Sequence, residues 1–325
     1  MTRPTLASVN PFFRKIALFG LALLLLAWLT EKALDFGLAH NYDFKPALVV
    51  SGSARPDALF LGNSRVELML NPAVFSQYTG LRAYNLGLNG SSLIHQLALL
   101  NLWMRYNPPP KYLFVEISPE DLQHSELGFF SIHFLQDLHT PPFNELVRRY
   151  DPRLLTLSRI PLLKYSLYNQ VLVGDALVGL LRWLTGHEKA VQHPGGYDAT
   201  PFVDFDETFD NYRRLHPDGF RMNLDTGRVR TLGQIFRYAR SKGVQVIAYE
   251  APTLGEMLRL HHNRTDMETV IDSVCQAGAV PFLPVDTTFL SPDRRYFFNA
   301  NHLNARGTDL FTQHLAKRVR HRLTN

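Results

Sequence analysis

Five short apolar runs constrain this chain more than any other feature: Ala58–Leu61, Arg82–Leu86, Tyr112–Ile117, Val244–Ala248 and Ala279–Val285. Strands buried on both faces read as continuous apolar runs, and these are separated by segments of helical period. The helical segments are Asn71–Tyr78, Leu93–Tyr106, about 231–242, about 254–277 and Ala305–Leu323. Pro108-Pro109-Pro110 ends the second of them, because proline cannot continue a helix. Alternation of this kind predicts an α/β domain with three layers, a doubly wound, parallel, five-stranded sheet between helices. A length of 325 residues suits one large domain with insertions. Hydrophobic content of 46% with 19% charged residues suits a packed core and excludes a disordered chain.

The N-terminus carries a different signal. Arg3, Arg14 and Lys15 precede an unbroken apolar run, Ile16 to Leu29, and no acidic residue occurs before Glu31. Fourteen helical residues rise about 21 Å, short of the roughly 30 Å hydrocarbon core. Snorkelling by Arg14, Lys15 and Lys32, with apolar flanks Phe12, Phe13, Ala33 and Leu34, lengthens the run towards a span. Gly37-Leu38-Ala39 is a candidate cleavage triplet. An uncleaved anchor, a cleaved signal and a soluble helix all fit. In the anchor reading residues 1–40 are a cytoplasmic N-terminus and a single-pass helix in the cytoplasmic membrane. The positive flank then stays inside, and residues 41–325 face the periplasm or outside.

Between about 121 and 220 no strand pattern occurs, only amphipathic stretches broken by Pro141-Pro142, Pro152, Pro161 and Gly195-Gly196. This reads as a helical and loop insertion over one end of the sheet. Within it, Tyr165 to Leu184 is apolar enough for a membrane surface, with packing on the sheet as the expected role. The net charge of +5 is spread along the chain, and Lys317, Arg318, Arg320 and Arg322 suit the negative end of the last helix. Nothing resembles a nucleic-acid-binding module. Cys275 is the single cysteine, which excludes an intrachain disulfide and a cysteine-rich metal site. His95 is expected to face outward, and His261-His262 is expected at the surface without the partners of a zinc site. Neither a metal nor another cofactor is implied. Asn263-Arg264-Thr265 has the form of an N-glycosylation triplet.

Ligands of doubly wound sheets bind beyond the carboxyl ends of the strands. Ser64, Gly90, Glu116, Glu250 and His302 are each expected just after a strand. Ser64, in Leu61-Gly62-Asn63-Ser64-Arg65, enters a helix beside backbone N–H groups. It is either a nucleophile with part of an oxyanion hole or a plain helix cap. His302, in Asn299-Ala-Asn-His-Leu-Asn304, could reach it from the far end of the chain. Arg65, Glu116 and Glu250 would form either a buried ion pair beneath that site or three solvated charges.

Gly62-Asn63-Ser64-Arg65, the Asn85-to-Gly90 turn and Asn299-to-Gly307 resemble the first, second and fifth blocks of the SGNH/GDSL hydrolases. The nearer similarity is to their membrane-anchored bacterial branch, like proteins of alginate O-acetylation and lipoteichoic-acid D-alanylation. It covers about residues 50–120 and 230–322. The resemblance implies a flavodoxin-like fold and metal-free acyl-ester chemistry. It makes Ser64 the nucleophile, His302 the general base, and the N–H groups of Ser64 and Gly90 the oxyanion donors. Two positions depart from the pattern. Asn299 stands where the family has aspartate, so it can orient the imidazole but adds no charge. Ile117-Ser118-Pro119-Glu120-Asp121 lacks the third-block asparagine, for which Asn89 or an insertion residue would substitute. Asp286 or Asp293 would be the replacement carboxylate. Three readings follow: an esterase or O-acyltransferase acting on an envelope acyl ester or polysaccharide; a catalytically weak protein binding a glycan or a partner membrane acyltransferase; or a scaffold in which Ser64 and His302 only cap helices.

Overall fold

The computed structural model describes residues 11–123, 143–150, 152–168, 170–187, 194–197, 204–206 and 208–323. Its contacts divide into two compact units, residues 1–47 with 131–190, and residues 48–130 with 191–325.

The larger unit is built on β1 (Ala58–Leu61), β2 (Ala83–Asn85), β3 (Tyr112–Glu116), β4 (Gln245–Tyr249) and β5 (Phe282–Leu283). All neighbours pair in parallel, in the order β2-β1-β3-β4-β5. This is the flavodoxin-type order, in which the winding reverses at β1 and β3. Between the strands run α3 (Ser64–Met69), α4 (Pro72–Thr79), α5 (Leu93–Tyr106) and α11 (Thr226–Ser241), then α12 (Gly255–Leu258), α13 (Arg264–Ala277) and the closing α14 (Ala305–Leu323). Successive strand residues point to opposite faces. Phe60, Tyr112, Phe114, Ile247 and Tyr249 meet Phe75 of α4 and Phe311, Leu315 and Val319 of α14 in one cluster. The Phe60 and Phe114 rings stack at 4.6 Å, with Phe75 edge-on to Phe60 at 4.8 Å. Leu59, Leu113 and Val115 point the other way and are equally buried, on the side where α5 and α11 pack together.

Two elements differ from expectation for local reasons. β5 has two residues rather than seven, because Pro281 and Pro284 bracket it and have no N–H to donate. The helix expected over 254–277 breaks into α12 and α13. At the break, Asn263 uses its side chain on the Met222 backbone, donating to its O and accepting from its N. Asn263 is thus buried and doubly bonded, so the glycosylation triplet is not a surface acceptor.

The smaller unit contains α1 (Pro11–Ala39) and α2 (Lys45–Ser51), whose last residues enter the larger unit. It also contains α6 (Phe143–Tyr150), α7 (Pro152–Leu157), α8 (Leu163–Tyr168) and α9 (Gln170–Leu184). Among the described residues α1 is the one helix long and apolar enough to cross a membrane. Tyr165 to Leu184, expected on the sheet, instead packs along α1, through close backbone contact at Gly37. The other described pieces of the insertion, residues 121–123, 194–197, 204–206 and 208–220 with α10 (Thr208–Leu215), belong to the larger unit.

Candidate active site

β1 ends at Leu61, and the chain turns at Gly62-Asn63 into the six residues of α3. Asn63 caps that helix, its Oδ1 accepting from Arg65 N at 2.8 Å. The capping role open to Ser64 thus falls to Asn63, and the Ser64 hydroxyl is left for another partner. Asn85, at the end of β2, is fully buried beneath α3. Its Nδ2 donates to Val66 O and Leu70 O, and its Oδ1 accepts from Gly87 N. Gly87 follows because a Cβ there would lie 2.3 Å from Glu67 N. Two strand ends thus lock one short helix.

His302 arrives on an element the sequence did not suggest, a hairpin of β6 (Phe297–Asn299) and β7 (His302–Leu303). Asn299 starts the turn, its Oδ1 accepting from Asn301 N at 3.0 Å and His302 N at 2.9 Å. The same oxygen lies 3.0 Å from His302 Nδ1. On the other side of the ring, His302 Nε2 lies 2.8 Å from Ser64 Oγ. Because two backbone N–H groups aim Oδ1 at the ring, Nδ1 must carry the proton. Nε2 is then the acceptor for the serine hydroxyl, which is the arrangement nucleophile activation needs. Asn304 braces the hairpin, donating to Arg295 O at 2.8 Å and accepting from Gly307 N at 3.0 Å.

His302 is half-buried, with Phe298 stacked on it at 5.4 Å. Burial first, then the Arg65 charge, pull its pKa down to about 4, against the opposing charge of Asp206. The ring is therefore neutral, a competent base, across the neutral range. A reaction that uses His302 as its base should have the acid limb of its kcat/KM near pH 4, well below the ordinary 6.5 of imidazole. Rates at pH 5.5 and 7.5 should therefore be nearly equal, and an initial-rate profile with a midpoint near 6.5 would contradict it.

The expected oxyanion donors are mixed. Among the described residues neither the Ser64 nor the Gly90 N–H has a hydrogen-bond acceptor, and Gly90 is exposed with φ of 70°. Asn89 does not stand in for the third-block asparagine through its backbone, whose N–H is held by Glu67 Oε2 at 2.7 Å. The turn after β3 brings an acceptor rather than a donor. Asp121 takes Asn63 Nδ2 at 2.8 Å and the Ser118 N and Oγ through its other oxygen.

Beneath the serine lies the ion pair. Arg65 Nε is 3.1 Å from Glu116 Oε1, and both side chains are almost wholly buried. Arg65 also donates to Thr253 Oγ1 at 2.8 Å and to Ala251 O. Glu250 is not its partner: it pairs with Arg264, which also holds Glu268 at 2.8 Å. Burial pushes Glu116 up to about 8, with Arg65 pulling it back and Asp121 and Glu250 adding to the rise. The cluster holds more carboxylates than guanidiniums, so one of them takes the proton.

Several further readings are corrected here. His95 is buried inside the first turn of α5, its Nδ1 accepting from Ser92 N at 3.1 Å. His261 is buried against Glu120 at 3.2 Å and Phe220, while His262 is exposed. Neither Asp286 nor Asp293 replaces the missing carboxylate. Asp286 bonds Thr288 and faces His314, and Asp293 pairs with Arg295. The carboxylate whose charge His302 feels is Asp206, from the insertion, tied in by Asp206 N donating to Phe298 O at 2.7 Å. No spacing in the sequence marks Asp206, since an insertion shares no pattern with the strands around it.

No protein-family model matches this sequence, and no curated protein matches it. Among solved structures, the chain is similar to a putative acylhydrolase from Bacteroides fragilis NCTC 9343, at 10% identity. The alignment covers 81% of this chain and 86% of that one, with a TM-score of 0.35.

Proposed function

We propose that this chain is a serine esterase or O-acyltransferase of the SGNH type, anchored in a membrane through α1. One observation carries the reading: Ser64 Oγ, His302 Nε2, His302 Nδ1 and Asn299 Oδ1 form one relay, with contacts of 2.8 and 3.0 Å. Ser64 Oγ attacks the ester carbonyl while its proton passes to His302 Nε2. The carbonyl oxygen gains the negative charge and is received by the Ser64 and Gly90 N–H groups. Collapse expels the alcohol, which takes the proton from His302 and leaves an acyl-serine. Water, or a sugar hydroxyl, gives its proton to His302 and attacks the acyl group, and Ser64 Oγ leaves, taking that proton back from His302. An acylated envelope polysaccharide is the substrate class that fits an anchored enzyme of this chemistry.

A second reading rests on Asn299 and on the turn after β3. Without a charged orienting group or a side-chain oxyanion donor, the same crevice would serve to bind a glycan or a membrane acyltransferase. Incubation of the full chain with a fluorophosphonate probe separates the two. A covalent adduct on Ser64, absent in Ser64→Ala and His302→Ala, is the expected result. An intact, folded protein that takes no label would favour the binding role.

A further inference from the structure

Nothing in the proposed chemistry uses α9, yet its surface is the least soluble-looking part of the chain after α1. Leu177, Val178, Leu181 and Leu184 recur at helical spacing and are 54, 43, 61 and 66% exposed. No charged residue interrupts this face. The two charged residues of α9, Asp175 and Arg182, are half-buried towards the end of α1. Arg182 pairs with Asp43 at 2.8 Å and donates to Asn41 Oδ1 at 3.0 Å, and Asn41 Nδ2 donates to Asp175 O at 3.1 Å.

The opposite face meets α1 backbone to backbone. A Cβ on Gly37 would lie 2.0 Å from Ala176 O, and one on Gly179 would lie 1.9 Å from Gly37 O. Small residues at a helix crossing are how helices approach closely in lipid, where apolar side chains gain nothing by leaving the solvent. Trp183 closes the crossing, edge-on to Phe36 at 5.0 Å. The acidic groups of α1 are met from α8 and from α1 itself: Lys164 reaches Glu31 at 3.1 Å and Asp35 at 2.7 Å, Tyr165 donates to Asp35 at 2.7 Å, and Lys32 lies 3.7 Å from Asp35.

We infer that α9 lies in the headgroup–acyl boundary of the membrane, its Leu177–Leu181–Leu184 face against lipid chains beside α1. This rests on reading α1 as a membrane helix. The two apolar surfaces are then one: Ile16 to Leu29 of α1 is apolar and largely exposed and rises about 21 Å, with Phe12 and Phe13 exposed beyond Arg14 and Lys15. Lys164 masks the charges that follow it. At 15 residues, α9 rises about 22 Å, too short to span the roughly 30 Å core. Its one-sided apolar stripe and terminal Trp183 and Arg182 suit a helix lying in the interface.

The test places a polarity-sensitive thiol label on the full chain in nanodiscs of phosphatidylethanolamine and phosphatidylglycerol. Cys275 is buried, with its thiol pushed up to about 12, so it stays unlabelled. Labels are compared at Leu181→Cys on α9, Leu24→Cys on α1 and Thr269→Cys on exposed α13. The label at position 181 should emit blue-shifted and lose intensity when lipids brominated near the carbonyl end are used. Position 24 should respond to deeply brominated lipids, and position 269 to neither. Position 181 behaving like 269 while 24 is quenched overturns the inference and leaves the anchor intact. Loss of quenching at both positions removes the anchor reading as well. A blue-shifted label at 181 that no lipid quenches would mean a protein covers the face, and would also overturn the lipid assignment.

Discussion

Asn299→Asp is expected to raise kcat/KM for ester hydrolysis by about 10- to 1,000-fold and to move the acid limb up from near pH 4 by roughly one to three units. In a serine protease the reverse change, aspartate to asparagine, costs about 10⁴ in kcat because the ring is left in the wrong tautomer. That part of the loss does not apply here. The Asn301 and His302 backbone N–H groups already point Asn299 Oδ1 at the ring, so Nδ1–H is enforced without a charge. What asparagine lacks is the attraction that stabilises imidazolium as it forms. A hydrogen-bonded carboxylate raises an imidazole pKa by roughly one to three units, each worth about 1.4 kcal/mol or tenfold. The aspartate oxygens should accept from the same two N–H groups, so the turn should survive. Initial rates of the full chain on an activated acyl ester, taken across pH, read both quantities. A faster enzyme with an unmoved acid limb would mean that the residue acts by geometry. A slower one would mean that this site has been tuned around the amide.

The strand ends could be read in advance because burial on both faces leaves an unmistakable apolar run, and the residue after each run is then placed by the fold. Ser64 follows from that rule, and it meets His302. The hairpin carrying His302 could not be read this way: β6 and β7 are three and two residues long, held by one Asn turn rather than by periodicity. Buried polar groups were the other failure. His95, His261 and Asn263 are each buried with a specific partner, His95 with Ser92 three residues before it, His261 and Asn263 with the distant Glu120 and Met222 backbone. Hydropathy cannot see a partner that lies far along the chain. The same limit hid the role of α9, whose apolar stripe was legible but whose choice of α1 over the sheet depends on Gly37 and Gly179.

Arg65→Met should cost about 1–3 kcal/mol of stability, because Glu116 Oε1, Thr253 Oγ1 and Ala251 O lose the buried donor they share. Arg65 ties three strand ends together: β1 through its own turn, β3 through Glu116, and β4 through Ala251 O and Thr253 Oγ1. Glu116→Gln should cost far less near pH 6, because burial pushes the Glu116 carboxyl to about 8 and a protonated acid resembles an amide. The sign of its pH dependence follows. The folded state binds this proton more tightly than the unfolded chain, whose carboxyl titrates near 4.5, so Glu116 stabilises fully below that value. Its contribution is lost as pH rises from there through 8, at no more than about 1.4 kcal/mol per unit. Thermal unfolding of the full chain in detergent should therefore show the difference between wild type and Glu116→Gln narrowing with rising pH. Because loss of Arg65 also loosens the turn bearing Ser64, lost activity in Arg65→Met would not show a catalytic role. The informative readout is the acid limb: the Arg65 charge helps hold His302 down, so whatever activity Arg65→Met keeps should titrate closer to the ordinary 6.5. An acid limb still at pH 4 would mean that burial alone keeps the imidazole neutral. A melting temperature unchanged in Arg65→Met would mean that those buried acceptors find another donor.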